Sequence, residues 1–368
     1  KVTGASHHIE IKKCKFTELY FSNNASEVPM PTQNVNPLVF CGSDNITPIN
    51  TILIDSCEVS NCRTGYSESI TLVGNVSDFI VSNNHINNTG NIGIVAAGFY
   101  AWCNSSASNS QARNGVIRGN LVENCRSLAG IAAGIYVDGG KNIIIEQNIT
   151  TNGQRGFQIN CENHGNIVGA SADKIIIRNN LTYNNSRGGI GLGTCLGGQY
   201  CNNNGHVTNC WIINNTVANN YKVQTEPGDG ADNDFGELNL DYSENCVIRN
   251  NIFYSSISGR SKLMNSYQVA TNFVLNLSTD YNIWFNTFTN TPQFMFEKNS
   301  NYGLLNFQNN IHKDTHSKFE NPIFTNVATN DFRLSSESSP AYNFSDANSI
   351  AIDSSGTRDL ANKIRMKN

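Results

Sequence analysis

The sequence predicts an all-β chain, a single-stranded right-handed parallel β-helix (a solenoid) finished by a C-terminal closing segment. Three observations point there. Asparagine occurs 59 times in 368 residues, although it is poor in helices and in flat strands alike, so the fold must use it at repeated positions. A short β-branched run followed by a polar pair, often Asn-Asn or Gly-Asn, recurs along the chain. The spacing of that motif is irregular, as in a coiled ladder with loops of varying length; a propeller or helical repeat would hold its period more tightly.

The repeats run in order from the N-terminus. Ile9 and Ile11 lead to Cys14, Ile52 and Ile54 to Cys57, and residues 79–81 to Asn84. Val116 and Ile117 lead to Asn120, residues 143–145 to Asn148 and residues 175–177 to Asn180. Residues 211–213 lead to Asn215, Val247 and Ile248 to Asn251 and, more weakly, residues 273–275 to Asp280. The steps are 43, 27, 36, 28, 32, 35, 36 and 29 residues. Each coil pairs its short strands with those of the coils above and below, ~4.8 Å away, and parallel crossovers favour the right-handed coil. Equivalent residues then stack on themselves. An inward Asn can bond the Asn of the next coil and the turn backbone, so a buried amide stays satisfied. Residues 1–312 are assigned to the coil and 313–368 to the closing segment. A β-sandwich would show turns every 8 to 12 residues, a rhythm the chain lacks.

Composition removes other classes. Charged residues make up 15% of the chain, against about 25% in ordinary proteins. The net charge is -4 with a pI near 6.0, which leaves no electrostatic footprint for nucleic acid. The longest nearly apolar run, residues 93–102, is half of what a membrane crossing needs.

Candidate chemistry follows from alternation, since successive strand residues face opposite sides. Ile135 and Val137 face inward, which turns Tyr136 and Asp138 out. Phe157, Ile159 and Cys161 face inward, leaving Gln158, Asn160 and Glu162 outward with His164 beyond. Ile190 and Leu192 leave Gly191 and Gly193 as a floor without side chains. Leu238 and Leu240 leave Glu237, Asn239 and Asp241 outward. The expectation is a polar, acidic strip flanked by loops at 98–113 and 196–206, suited to a polysaccharide. Tyr136, Gln158, Asn160, Gly191, Gly193, Glu237, Asn239 and Asp241 would hold the glycan. Arg155 and Arg187, each seven residues past a register mark, would stack at one edge and grip a sugar carboxylate bidentately.

Three mechanisms compete for the strip. β-Elimination at a uronic acid would use an arginine, with calcium held by Asp138, Glu162 or Asp241. Hydrolysis would use two carboxylates as acid and base, and His164 could serve in either role. In pure binding the same residues only hold glycan. Asp229, Asp232 and Asp234 form an acidic loop and a weaker calcium candidate, without the Gly and terminal Glu of an EF-hand.

The runs Gln111-Ala-Arg-Asn-Gly-Val-Ile-Arg-Gly-Asn120, Gly134-Ile-Tyr-Val-Asp-Gly-Gly-Lys-Asn-Ile143 and Gly156-Phe-Gln-Ile-Asn-Cys-Glu-Asn-His-Gly165 resemble secreted right-handed parallel β-helix repeat proteins of the pectate-lyase-like superfamily. The tail, with Asn321-Pro-Ile-Phe324, Asp331-Phe-Arg-Leu334 and Ser339-Pro-Ala341, resembles the closing segment of bacterial members. The resemblance implies the fold and an extracellular setting. Its members include lyases, hydrolases, epimerases and proteins of no known activity, and the calcium-binding Asp cluster of classical pectate lyases has no counterpart here. The expected function is a secreted polysaccharide lyase or glycoside hydrolase acting on an acidic polysaccharide or cell-surface glycan. The alternative is a non-catalytic glycan-binding or fibre-forming protein.

Eleven cysteines leave at least one without a partner in the chain. Cys14 with Cys57 and Cys210 with Cys246 share registers one coil apart, within disulfide reach, and both pairs also suit an apolar interior. Cys195 and Cys201, in one Gly-rich loop, are the third candidate pair. Eleven Asn-x-Ser/Thr sequons, among them Asn24, Asn104, Asn148, Asn180 and Asn214, are about what so much asparagine yields by chance. The opening at Lys1 runs straight into a coil without an amphipathic cap. The expectation is therefore either an upstream portion or self-association through that end.

Overall fold

The computed structural model describes residues 1–193, 205–221, 236–258, 262–266, 274–288, 293–296 and 300–346. The chain coils through three long sheets. The first runs Val2–Thr3, Leu38–Gly42, Ile70–Gly74, Ile94–Ala97, Ala133–Asp138, Arg155–Asn160, Gly188–Leu192, Leu238–Leu240, Lys262–Asn265 and Gln293–Phe296, all parallel, with Ser300–Tyr302 added antiparallel at the end. The second contains the β-branched runs, such as Lys141–Glu146 and Ala172–Arg178, and the third the short strands that follow them, such as Leu121–Cys125 and Ile149–Thr151. Each strand pairs with its equivalent one coil away. The architecture is a right-handed parallel β-helix.

The core follows from register. Ile94, Ile135, Phe157, Ile190, Leu238 and Met264 occupy one inward column, each 0% exposed. Ile143 stands over Ile175 and Ile145 over Ile177 in the second sheet. At about 25 cal/mol per Å² of apolar surface removed from water, these columns are the main source of cohesion. No single coil buries its own inward face; that takes its neighbours.

The asparagine bias has two causes at adjacent positions. The inward amides of Asn84, Asn120, Asn148, Asn180, Asn215, Asn251 and Asn282 form a continuous ladder, each Nδ2 donating to the Oδ1 of the next at 2.9–3.1 Å. Each Oδ1 also accepts the backbone N–H of the preceding ladder residue. The residue just before each rung turns the corner with positive φ: Asn83, Gly119, Gln147, Asn179, Asn214, Asn250 and Tyr281. Asn tolerates that left-handed conformation better than other residues with a Cβ. An Asn-Asn pair is therefore a left-handed corner followed by a ladder rung. The last rung is Asn282 instead of Asp280, which stands in the outward column opposite Arg249.

The ladder ends on a carboxylate. Asp314, fully buried, accepts from Asn282 Nδ2 at 3.0 Å, Thr279 Oγ1 at 2.8 Å and Ser317 Oγ at 2.5 Å. Burial pushes its pKa up despite these donors. A helix, Leu304–Ile311, lies over the last coil. Leu304, Phe307 and Ile311 share one face of it, and Phe307 stacks on Phe294 at 5.3 Å. His312, in the left-handed region, ends it. The chain then returns along the outside of the third sheet, where Phe324 and Phe332 of an antiparallel pair pack on Tyr254 and Tyr183. The first coil is the least buried, with Val2, Ile9, Ile11 and Phe16 packing on the core from one side only. No helix among the described residues is long and apolar enough to cross a membrane.

Candidate functional site

The outer face of the first sheet is not a continuous polar strip. Its early coils carry an apolar patch, Val39, Val73 and Val95 with Cys41 and Ala97, covered by the segment that follows Ala97. That segment is fixed by a disulfide between Cys41 and Cys103 and by Asn104, whose Nδ2 donates to the carbonyls of Gly42 and Asp44 at 3.0 Å. It delivers Tyr100 and Trp102 to the edge of the Asp138 coil.

There the structure assembles a compact acid cluster. Tyr100 Oη donates to Asp138 Oδ2 at 2.5 Å and lies 3.4 Å from Glu162 Oε2. Those two carboxylate oxygens are therefore no more than about 5.9 Å apart, the sum of the two distances. Tyr136 Oη donates to Glu162 Oε1 at 2.9 Å, Asn160 Nδ2 donates to Tyr136 Oη at 3.2 Å, and the backbone N–H of Glu162 donates to Asp138 Oδ1 at 2.6 Å. His164 Nε2 sits 2.9 Å from Glu162 Oε2, its ring stacked on that of Tyr100 at 4.9 Å. Glu68, partly buried, accepts from Thr71 Oγ1 at 3.0 Å close by. Burial lifts its pKa to about 7, with Glu162's charge adding to the effect.

The two central carboxyls are pushed apart. Asp138 is 1% exposed; burial, then the charge of Glu162, raises its pKa well above the carboxylate range. Burial also pushes Glu162 up, but donors from His164, Tyr136 and Tyr100, with the charge of His164, outweigh it and hold Glu162 below its usual value. The bond to Glu162 raises His164 against the opposing effect of burial. The two environments thus oppose each other, burial favouring the protonated form of Asp138 and the surrounding donors the charged form of Glu162, whose side chain is 34% exposed.

The remaining expected residues lie elsewhere. Arg155 and Arg187 are buried, at 7% and 0% exposure, so neither presents a fork to a substrate. They are also out of register: Arg155 pairs with Gly188, and Arg187 N–H bonds Gln154 O instead. Arg155 donates to Gln158 Oε1 and feels the charge of Asp241, while burial brings its pKa down to about 10. Gln158, Asn239 and Asp241 are buried with it. Gly191 makes room for that pair, since a Cβ would stand 2.5 Å from Gln158 Oε1; Gly193, at φ +63°, would meet the Tyr242 backbone at 2.7 Å. Both glycines answer to packing within the chain instead of to a sugar.

Glu237 is also an interior residue. A second, shorter ladder runs from Asn185 to Asn220 and ends on it, Asn220 N–H and Nδ2 donating to its two oxygens at 2.9 and 2.8 Å. Burial raises its pKa well above the usual value. Glu237 therefore favours folding most when protonated and loses that contribution as pH rises through its folded pKa. An E237Q variant, neutral throughout, is expected to lose less stability than the parent between about pH 5 and about pH 9. Urea midpoints measured across that range check it, and parallel curves would refute the assignment.

The carboxylates do not suit calcium. Both Asp138 oxygens are engaged by N–H and O–H donors, Asp241 belongs to the arginine layer, and no three His, Cys, Asp or Glu side chains gather as a metal site among the described residues. Asp229, Asp232 and Asp234 lie outside the described residues, as do Cys195 and Cys201. Cys14, Cys57, Cys210 and Cys246 are free thiols, which donate to the carbonyls of Lys12, Asp55, Thr208 and Glu244. Asn104, Asn148 and Asn180 are buried, which leaves no room for a sugar on those sequons.

Sequence reasoning missed Tyr100, Trp102, Glu68 and the Cys41–Cys103 bridge. Tyr100 and Trp102 close the apolar run 93–102, and one signal was available: Ala96 pairs with Val137, so counting on along the coil puts the next aromatics beside Asp138. The disulfide joins a strand to a loop of the coil two turns later, and no repeat register announces it.

Comparisons with known proteins find distant similarity only. No family model matches the chain. It is 27% identical over 295 residues to the protein YwoF of Bacillus subtilis (strain 168), which carries no described activity, across 77% of this chain and 57% of that protein. The chain thus spans a little over half the length of this curated relative. Among solved structures, the Dettilon tailspike protein aligns over 76% of this chain and 55% of its own at 14% identity and a TM-score of 0.36. XylC, solved in complex with xylose, aligns over 77% and 55% at 11% identity and a TM-score of 0.34.

Proposed function

We propose that this protein is a glycoside hydrolase acting with retention of configuration at Asp138 and Glu162. The observation that carries the reading is the pair itself: two carboxyls joined through one phenol, one environment holding a proton and the other expelling it. Opposed shifts of this kind mark an acid and its partner nucleophile or base. A bound of about 5.9 Å between the facing oxygens favours a retaining pair, at about 5–5.5 Å, over the wider spacing of an inverting pair, at about 6.5–9.5 Å.

The roles follow from exposure. Glu162, ionised and accessible, attacks the anomeric carbon as the bond to the leaving oxygen breaks. The Tyr100 hydroxyl turns its hydrogen from Asp138 to that oxygen and gives it up there, while accepting the carboxyl proton of Asp138 in its place. Water then attacks the same carbon and its proton returns by the same route, releasing Glu162. Burial and the two carboxylates keep the Tyr100 phenol protonated, so it conducts without ionising. His164 positions Glu162. Elimination at a uronic acid is less well supported, because the arginines that would neutralise its carboxylate are buried. The Cys41–Cys103 disulfide favours an oxidising, extracellular setting.

Proton NMR of the first product formed from a cleaved glycan should show the anomeric configuration of the substrate. An inverted product, an unsaturated product absorbing near 235 nm, or binding without cleavage would each overturn this reading, the last in favour of a non-catalytic glycan-binding protein.

A further inference from the structure

We infer that Trp102 is the stacking platform for a sugar ring beside the carboxylate pair, and that the glycan bound there is built of uncharged sugars. This rests on the reading of the site as glycan-binding, and turns against the acidic polymer that the sequence suggested.

Trp102 is 68% exposed, whereas Trp284 is fully buried and Trp211 half-buried. Leaving an indole in water forgoes about 25 cal/mol for each Å² of apolar surface, and here its neighbours are fixed around it. Tyr100, two residues before, is tied to Asp138; Cys103 is bonded to Cys41; Asn104 is buried on two carbonyls. The segment is thus held at several points, and Trp102 is the large apolar side chain it leaves outside. Pre-organised, exposed tryptophans of this kind are typical binding anchors, because little ordering entropy is lost when a partner covers them.

The location fits one sugar unit. The Trp102 ring lies 6.1 Å from that of Tyr100, whose hydroxyl joins the two carboxyls. A pyranose stacked on the indole would reach the carboxylates with its neighbouring linkage. The face of an indole is electron-rich and attracts the weakly positive C–H groups of a sugar ring. It repels a carboxylate, as does ionised Glu162. The positive charge of His164 is already spent on Glu162 at 2.9 Å, and Arg155 and Arg187 are buried beneath the face. A uronate would meet two repulsive surfaces, with no cation to offset them among the described residues of this site.

The test separates binding from turnover. A D138N protein, which lacks the acid and keeps the Glu162 carboxylate, is titrated calorimetrically with neutral hexasaccharides of glucose, mannose, galactose, xylose and rhamnose, and with matching oligomers of galacturonic, mannuronic and guluronic acid. Binding is expected for a neutral series and not for the uronates. The W102A/D138N protein should bind that series at least ~10-fold more weakly, and W102F/D138N should recover most of the loss. Circular dichroism of each variant should match the parent, since the indole is exposed and Asn keeps the shape of Asp. Equal affinity in W102A/D138N, preference for a uronate, or no binding to any neutral series would overturn the inference. The hydrolase reading is judged separately, by turnover of the parent against E162Q, so either can fail alone.

Discussion

An E162Q variant is expected to lose about 10²- to 10⁴-fold in turnover on any glycan the parent cleaves, with its folding unchanged. Glutamine keeps the shape and can still accept from Tyr136, but it cannot ionise or form a glycosyl ester. The folding expectation has its own basis. Glu162 lies at the surface end of the cluster, and the buried contact from this residue is its backbone N–H to Asp138, which the substitution leaves in place. An E162A variant supplied with azide should regain cleavage and release a glycosyl azide of inverted configuration, because the small anion occupies the space of the lost carboxylate. Rescue of this kind distinguishes a nucleophile from a residue that only shapes the site. Unchanged turnover in E162Q would remove the pair from the chemistry.

The largest effect on stability is expected from Asn180→Ala. This residue accepts from the N–H and the Nδ2 of Asn148 at 2.9 and 3.1 Å, and donates to the carbonyls of Ile145 and Arg178 and to Asn215 Oδ1. Truncation orphans the buried Asn148 N–H and takes a donor from the carbonyls of Ile145 and Arg178, while Asn148 Nδ2 keeps the carbonyls of Ile117 and Glu146, a total of about 2–4 kcal/mol. Urea denaturation should show it. Asn83→Gly, at a corner with φ 55° on the same turn of a different coil, should stay within about 0.5 kcal/mol, since Gly119 already fills the equivalent corner of the next coil. Equal costs at the two positions would mean that the ladder contributes no more than the turns do.

That contrast also measures how far the sequence could be read. The inward columns, the order of the coils and the asparagine ladder were legible because stacking repeats the same local pattern in every coil, and repetition is what a single chain displays. The strand alternation at Tyr136, Asp138, Gln158 and Glu162 was legible for the same reason. The left-handed corners were harder to see, because Asn, Gln, Gly and Tyr all occupy that column and only the backbone conformation unites them.

Accessibility was beyond the sequence. Alternation tells which side of a strand a residue faces, not whether that side meets water. Arg155, Arg187, Gln158, Asn239 and Asp241 face outward and are nonetheless buried, so a groove expected across four coils contracts to the ends of two. The acid pair was named from the sequence, but its division of labour depends on Tyr100, 38 residues before Asp138 in the chain, and on the burial of one carboxyl but not the other. Repetition fixed the columns along the coil. Insertions that break the repeat decide which outward residues stay in contact with solvent, because what covers a face is set by long-range packing and by a disulfide that no local pattern records.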